Sequence, residues 1–296
     1  MTSPVATAQP ILRDPALQAE LTRSGVAITT LFSDDQIAGL TAIVEQLEAD
    51  ADHDNVHIKT PFHLSAFHND SAWKQRIYDE IHAYTNDIVN TLLVDYEPLV
   101  INIHDKPPGP NTSLGIHQNP SFVEEPEHKS VTIWIPMIDV RKGNGTLGVL
   151  RGSHNVFDAM RAANMPDVFE DIALKLTTQY FEPLELKRGE AAVLDDSVIH
   201  WSYPNMSETV RLAVQLIMVP KKPDHIYYYY NTSGEQPRLD LYTVDKDFFF
   251  KFNCKAEPQG LPYIRSIPYE YSQVSESELL KRVSAQNPDV LTRQAG

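Results

Sequence analysis

The sequence predicts a mainly β protein, a sandwich or barrel carrying a helical layer at its N-terminal end. Short apolar runs separated by tight-turn residues recur from about residue 96 to residue 220, and helical periodicity is concentrated ahead of them. Six or more short strands closed by tight turns fit a sandwich or barrel better than a parallel α/β sheet.

The composition is compatible with one such unit. The chain has 296 residues, of which 42% are hydrophobic and 22% charged, enough apolar content for a sizeable core and too little charge for wholesale disorder. β-Barrel enzymes often use this much chain as a single domain. The formal charge of −15, with no lysine- or arginine-rich run, would repel phosphate backbones and argues against a nucleic-acid partner. Cys254 is the only cysteine, so neither an internal disulfide nor a thiolate metal cluster is available. Beside aromatic residues it reads as buried filler. Residues 1–10 lack the apolar segment of a secretory signal, and no stretch approaches the ~20 apolar residues of a membrane span. The expectation is a soluble, cytoplasmic protein with no membrane partner.

In chain order, residues 1–13 read as a flexible tail and 14–95 as a helical N-terminal part of the same domain. Ser33-Asp34-Asp35-Gln36 is a capping box before a stripe of Ile37, Leu40, Ile43, Val44 and Leu47. A second stripe runs through Trp73, Ile77, Ile81, Tyr84, Ile88 and Leu92. The polar, His-rich stretch 53–70 between them reads as a loop over whatever the core holds; His63 and His68 are too isolated to claim as ligands. Strands follow at 99–103, 131–135, 147–150, 181–186, 191–194 and 212–219. Asn144-Gly145 is the strongest hairpin signal in the chain, with 147–150 expected to pair across it. A helical insert is expected at about 156–174, completing a core of 96–220, and 221–296 reads as a C-terminal extension packed on that core.

Eleven histidines are present, so most must be ordinary. Four features nevertheless occur in order. His117-Gln118-Asn119 follows a turn; Ser130 to Pro136 leads through Asn144-Gly145 to Arg151-Gly152-Ser153-His154; His200 comes much later; and Arg211 opens the strand after it. From about Leu99 to Val219 this order resembles the phytanoyl-CoA dioxygenase-like family of Fe(II)/2-oxoglutarate-dependent oxygenases, with weaker helical similarity upstream.

The resemblance implies a double-stranded β-helix (jelly-roll) core and a facial triad at His117, Asn119 and His200 holding Fe(II). It implies Arg211 gripping 2-oxoglutarate as co-substrate, O2 as second substrate, and hydroxylation or desaturation of a small molecule. The physical logic agrees. Two imidazoles and one oxygen on one face of iron leave three positions open, residues two apart on a strand share a face, and a guanidinium offers a carboxylate a bidentate fork. Thr132 and Asn102 are helper candidates from flanking strands, although ordinary strand polar residues would look the same. Ala213 stands where the family often has serine, and His154 reads as a structural turn residue. Asp195-Asp196 could orient His200 or mark a surface turn.

Position 119 departs from the family, which has Asp there. Asn brings no charge, so iron affinity should fall. Three accounts fit: a native weak ligand or a water in its place, a catalytically silent subunit, or a variant made to trap a complex. Halogenation is disfavoured, because Asn fills the space a halide would need. A cupin-type isomerase would leave Arg211 without a purpose. Tyr227–Tyr230 and Phe248–Phe250 read as core or subunit interface more readily than as a substrate channel, which leaves a homodimer open.

Overall fold

The computed structural model describes residues 10–125, 127–154, 156, 160–270 and 272–286. Helix α1 (Pro15–Ser24) starts at Asp14, whose carboxylate accepts from the Ala16 and Leu17 amides, and stops at Gly25, whose φ of 76° closes the left-handed cap. Strand β1 (Val26–Thr30) follows, then α2 (Asp34–Ala49) behind the expected Ser33/Gln36 capping box. After β2 (His63–Leu64) comes α3 (Ser71–Leu92), capped by Asp70. The strands β3 (Tyr96–Lys106), β4 (Leu114–His117), β5 (Val131–Pro136) and β6 (Leu147–Val149) lead to the turn α4 (Ala173–Lys175). Then come β7 (Glu182–Pro183), β8 (Glu190–Asp195), β9 (His200–Ser202) and β10 (Arg211–Pro220). The chain continues through β11 (His225–Asn231), β12 (Arg238–Val244), α5 (Lys246–Phe250), β13 (Tyr263–Pro268) and α6 (Glu276–Gln286).

The strands form a jelly roll. One sheet has the order β1-β8-β5-β10-β3-β2, a second β4-β9-β6-β7, and a third, β11-β12-β13, is added by the C-terminal segment. Period-two alternation divides the six-stranded sheet by face. Ile101 and Ile103, Ile133 and Ile135, Val193, and Val214 and Leu216 pack with Ile37, Leu40, Ile77 and Ile81 of the helical layer. The intervening residues Asn102, His104, Thr132, Trp134, Arg211 and Gln215 face a cavity of about 680 Å³, whose other wall is β4 and β9.

Several expectations need correction. The N-terminal part is not wholly helical: β1 pairs with β8 from Val26↔Leu194 to Thr30↔Glu190, forming the edge of the large sheet. Leu12, placed in the tail by its sequence, is 1% exposed and bridges to Leu93; residues 1–9 lie outside the described part. The segment after Asn144-Gly145 does not pair back onto β5, because β10 and β8 already occupy both of that strand's edges; β6 joins β9 and β7 instead. Of 181–186 only Glu182–Pro183 pairs as a strand.

The described helical insert covers 170–180, displaced from the expected 156–174, of which 155 and 157–159 lie outside the described residues. Residues 160–169 are irregular. The Asn164 amide bonds both backbone groups of Tyr230, tying this stretch to β11, and Pro166 cannot donate a helical bond. Among the described residues, no helix is long and apolar enough to cross a membrane.

Candidate functional site

His117 ends β4 and His200 begins β9. The antiparallel register sets them directly opposite, with ring centroids 4.3 Å apart. Each ring is fixed by its own chain: His117 Nδ1 donates to Gly115 O at 2.8 Å and His200 Nδ1 to Val198 O at 2.9 Å. A carbonyl only accepts, so the proton sits on Nδ1 and both Nε2 lone pairs are left free, the arrangement that metal-ligating histidines use. Burial and the neighbouring His117 hold His200 down to about pKa 3, and burial lowers His117. Both imidazoles are therefore neutral at physiological pH, the form that binds a metal.

Asn119 is 6% exposed, and its amide is oriented from behind. Nδ2 donates to Asp196 Oδ1 at 2.8 Å and lies 3.0 Å from Thr132 Oγ1, while Thr132 donates its own proton to Asp196 Oδ1 at 2.7 Å. The flipped amide would set its oxygen against a carboxylate oxygen, so this network points Nδ2 inward and leaves Oδ1 for the cavity. Among the described residues, no His, Cys, Asp or Glu joins His117 and His200 to complete a three-donor cluster, and Asn119 lines the same cavity as the two imidazoles. The missing negative charge lies one residue further out. Asp196, wholly buried and pushed up to about pKa 6 chiefly by that burial, polarises the amide through its N–H. The expectation that Asp195-Asp196 orients His200 is thereby corrected: Val198 O performs that task, and Asp196 serves Asn119.

Arg211 is 0% exposed, and its three guanidinium nitrogens have no hydrogen-bond partner. Its charge is flanked by aromatic faces, Trp134 at 5.4 Å and Phe62 at 6.0 Å. Burial lowers it to about pKa 9, only weakly opposed by Asp105. Lys106, opposite Arg211 in the β3–β10 ladder, is equally buried and is held down to about pKa 6 by burial and by Arg211. Its Nζ donates to Ser202 Oγ at 2.6 Å and to Tyr203 O at 2.8 Å.

The helper candidates are placed differently from one another. Thr132 belongs to the Asn119–Asp196 network. Asn102 lines the cavity, but its Oδ1 accepts from Ser65 Oγ and the Ala66 amide, holding the turn beyond β2, and its Nδ2 donates to Gln215. His154 donates to or accepts no cavity group; its Nε2 bonds Thr22 O at 3.0 Å, as a turn residue should.

Two contributors carried no local signal, and a third belongs to the aromatic cluster weighed between core, interface and channel wall. His104, neutral because burial holds it near pKa 3, bonds Gln215. Arg161 donates to Asn119 O at 2.7 Å and pairs with Glu125 at 2.8 Å. Tyr227 lines the cavity with a buried hydroxyl that has no partner, so this aromatic cluster is both core and pocket wall. The β10 register puts Gln215 on the Arg211 face, and His104 stands opposite Ala213 on β3.

The profile of the phytanoyl-CoA dioxygenase (PhyH) family matches residues 26–213. Phytanoyl-CoA dioxygenase 1 of Oryza sativa subsp. japonica is 28% identical over 116 residues, covering 38% of this chain and 41% of that protein. A phytanoyl-CoA dioxygenase domain-containing protein 1 homolog of Dictyostelium discoideum is 33% identical over 121 residues, covering 38% and 43%. The matched region thus spans less than half the length of these curated relatives. Among solved structures, the non-heme alpha-ketoglutarate-dependent carbocyclase SnoK from nogalamycin biosynthesis superposes with a TM-score of 0.53 over 72% of this chain and 86% of its own, at 15% identity. That likeness is one of fold.

Proposed function

The chain belongs to the phytanoyl-CoA dioxygenase family, and from that premise we propose that it is an Fe(II)- and 2-oxoglutarate-dependent oxygenase acting on a small molecule. The observation that carries the reading is one cavity shared by two neutral imidazoles with free Nε2 atoms and a buried guanidinium lacking any partner. An unpaired buried charge is expensive and is kept where a ligand completes it. A dicarboxylate reaching from a metal to Arg211 would do so.

The donor set fits iron: His117 and His200 would hold it with Asn119 Oδ1 as a third, neutral donor, leaving positions for an oxo-acid and O2. Bound iron would supply the activation of O2, coupled to decarboxylation of 2-oxoglutarate to succinate and oxidation of a C–H bond. The chain's own contribution is placement. Gly115 and Val198 carbonyls fix the two rings, and Asp196 and Thr132 fix the amide and enrich its oxygen. Arg211 fixes the far carboxylate, while Trp134 and Phe62 exclude water around it. The outer cavity, with Tyr227 and Gln273 in its wall, is the space left for the substrate.

The test is succinate release from Fe(II)-loaded protein supplied with 2-oxoglutarate and O2, with Asn119→Asp alongside. Succinate above the iron-free control supports an oxygenase. Protein that binds iron and 2-oxoglutarate but releases none in either form is a silent binding subunit, and the reading fails.

A further inference from the structure

Outside the cavity, Glu48 near the end of α2, His53 in the following loop and His63 at the start of β2 converge. We propose that these three residues form a second metal site, selective for a borderline divalent ion such as zinc, that staples the loop to α2. Their candidate donor atoms all lie within 4.8 Å of one another. Glu48 Oε2 is 3.0 Å from His53 Nε2 and 3.4 Å from His63 Nδ1, and the two rings stack at 4.1 Å. A tetrahedral zinc with bonds of roughly 2.0–2.1 Å separates its donor atoms by ~3.3 Å, so the carboxylate-to-ring spacings already suit one ion.

A second observation points to a ligand. The Glu48 and His63 side chains are only 7% and 5% exposed, yet Glu48 Oε1 and both His63 ring nitrogens have no hydrogen-bond partner. Buried polar atoms are normally satisfied, and an ion would satisfy these. His53, 46% exposed, provides the way in from solvent. Asp105 lies opposite His63 in the β2–β3 ladder but is not among the three converging donors. His68 is not part of the set, because its Nε2 bonds Asp52 O and its Nδ1 accepts from the Asp70 amide.

The mixed nitrogen and oxygen donors suit zinc better than calcium or magnesium, which prefer all-oxygen sites. The staple acts on the cavity through the neighbouring residue. Phe62 precedes His63, and its ring lies 4.4 Å from Lys106 Nζ and 6.0 Å from Arg211 Cζ. Metal at the cluster would therefore hold one wall of the guanidinium pocket in place.

The test uses chelator-stripped full-length protein titrated with Zn(II), and with Co(II) as a spectroscopic probe. His117→Ala/His200→Ala protein should still bind one equivalent of either ion. Co(II) should give the visible absorption of a four-coordinate site, and Zn(II) should raise the melting temperature. His53→Ala, at a partly exposed position, and the near-isosteric Glu48→Gln should each lose that equivalent while keeping the wild-type circular dichroism. Should the double variant fail to fold, the stoichiometry falling from two in wild type to one in His53→Ala supports the site instead. No saturable binding remaining once His117 and His200 are removed, or binding indifferent to both His53→Ala and Glu48→Gln, overturns it.

Discussion

Replacing Arg211 by Met should move stability and ligand affinity in opposite directions. In the ligand-free protein the guanidinium is 0% exposed, has no hydrogen-bond partner and lies beside a second buried basic side chain, Lys106, whose proton it helps to expel. Its fall from 12.5 to about 9 corresponds to a burial penalty on the order of several kcal/mol. Met fills much of the space beside Trp134 and Phe62 and removes the charge. Substitutions of this kind are neutral or stabilising by about 1–4 kcal/mol. Urea unfolding of the apo protein should therefore show an equal or higher midpoint. With 2-oxoglutarate bound the sign reverses, because removing one partner of a buried ion pair costs about 3–5 kcal/mol. Affinity should fall by at least about a hundredfold. Calorimetric titration under anaerobic conditions, run beside the unfolding curves, reads both effects. An apo protein destabilised by more than about 1 kcal/mol with co-substrate affinity intact would show that Arg211 serves the fold instead.

Two further outcomes follow from the same cavity. In Asn119→Asp the new carboxylate faces Asp196 Oδ1, now 2.8 Å from the amide nitrogen, so like charges offset part of the gain in iron affinity. Asn119→Asp/Asp196→Asn, which moves the charge to the cavity and the amide behind it, should bind Fe(II) more tightly than either single variant; an additive result across the four proteins would refute the coupling. Lys106 is lowered from 10.5 to about 6 in the fold, so between those pH values the unfolded chain holds the extra proton. Its contribution makes stability rise with pH across that window, by at most about 1.4 kcal/mol per unit, and vanish as a slope below pH 6. Urea unfolding at pH 7 and pH 9 should show a smaller rise in Lys106→Met than in wild type, and parallel changes would refute the assignment.

The candidate site was legible where local pattern and chemistry coincide. His117, His200 and Arg211 could be picked out because each opens or closes a strand in a fixed order, and the fold puts all three in one cavity. What the sequence hid depends on distant partners. Val26–Thr30 is five residues between two helices, and only its pairing with β8 makes it a strand. The Asn144-Gly145 turn is locally as expected, with Gly145 at φ 83° and Asn144 Oδ1 capping the Arg141 amide. The strands on either side nevertheless go to different sheets. From the sequence Asp196 either orients His200 or marks a surface turn, and neither reading shows that it is buried against Asn119. Glu48, His53 and His63 are separated along the chain and meet only when the loop folds back onto α2.

The central claim is that one ligand spans the metal held by His117, Asn119 and His200 and the guanidinium of Arg211. The measurement that tests it most directly is anaerobic binding of 2-oxoglutarate with and without Fe(II), in wild type, His200→Ala and Arg211→Met. Tight binding is expected only in Fe(II)-loaded wild type, with loss of metal, of His200 or of Arg211 each weakening it at least about a hundredfold. Binding of equal strength without iron, or undiminished in His200→Ala, would contradict it.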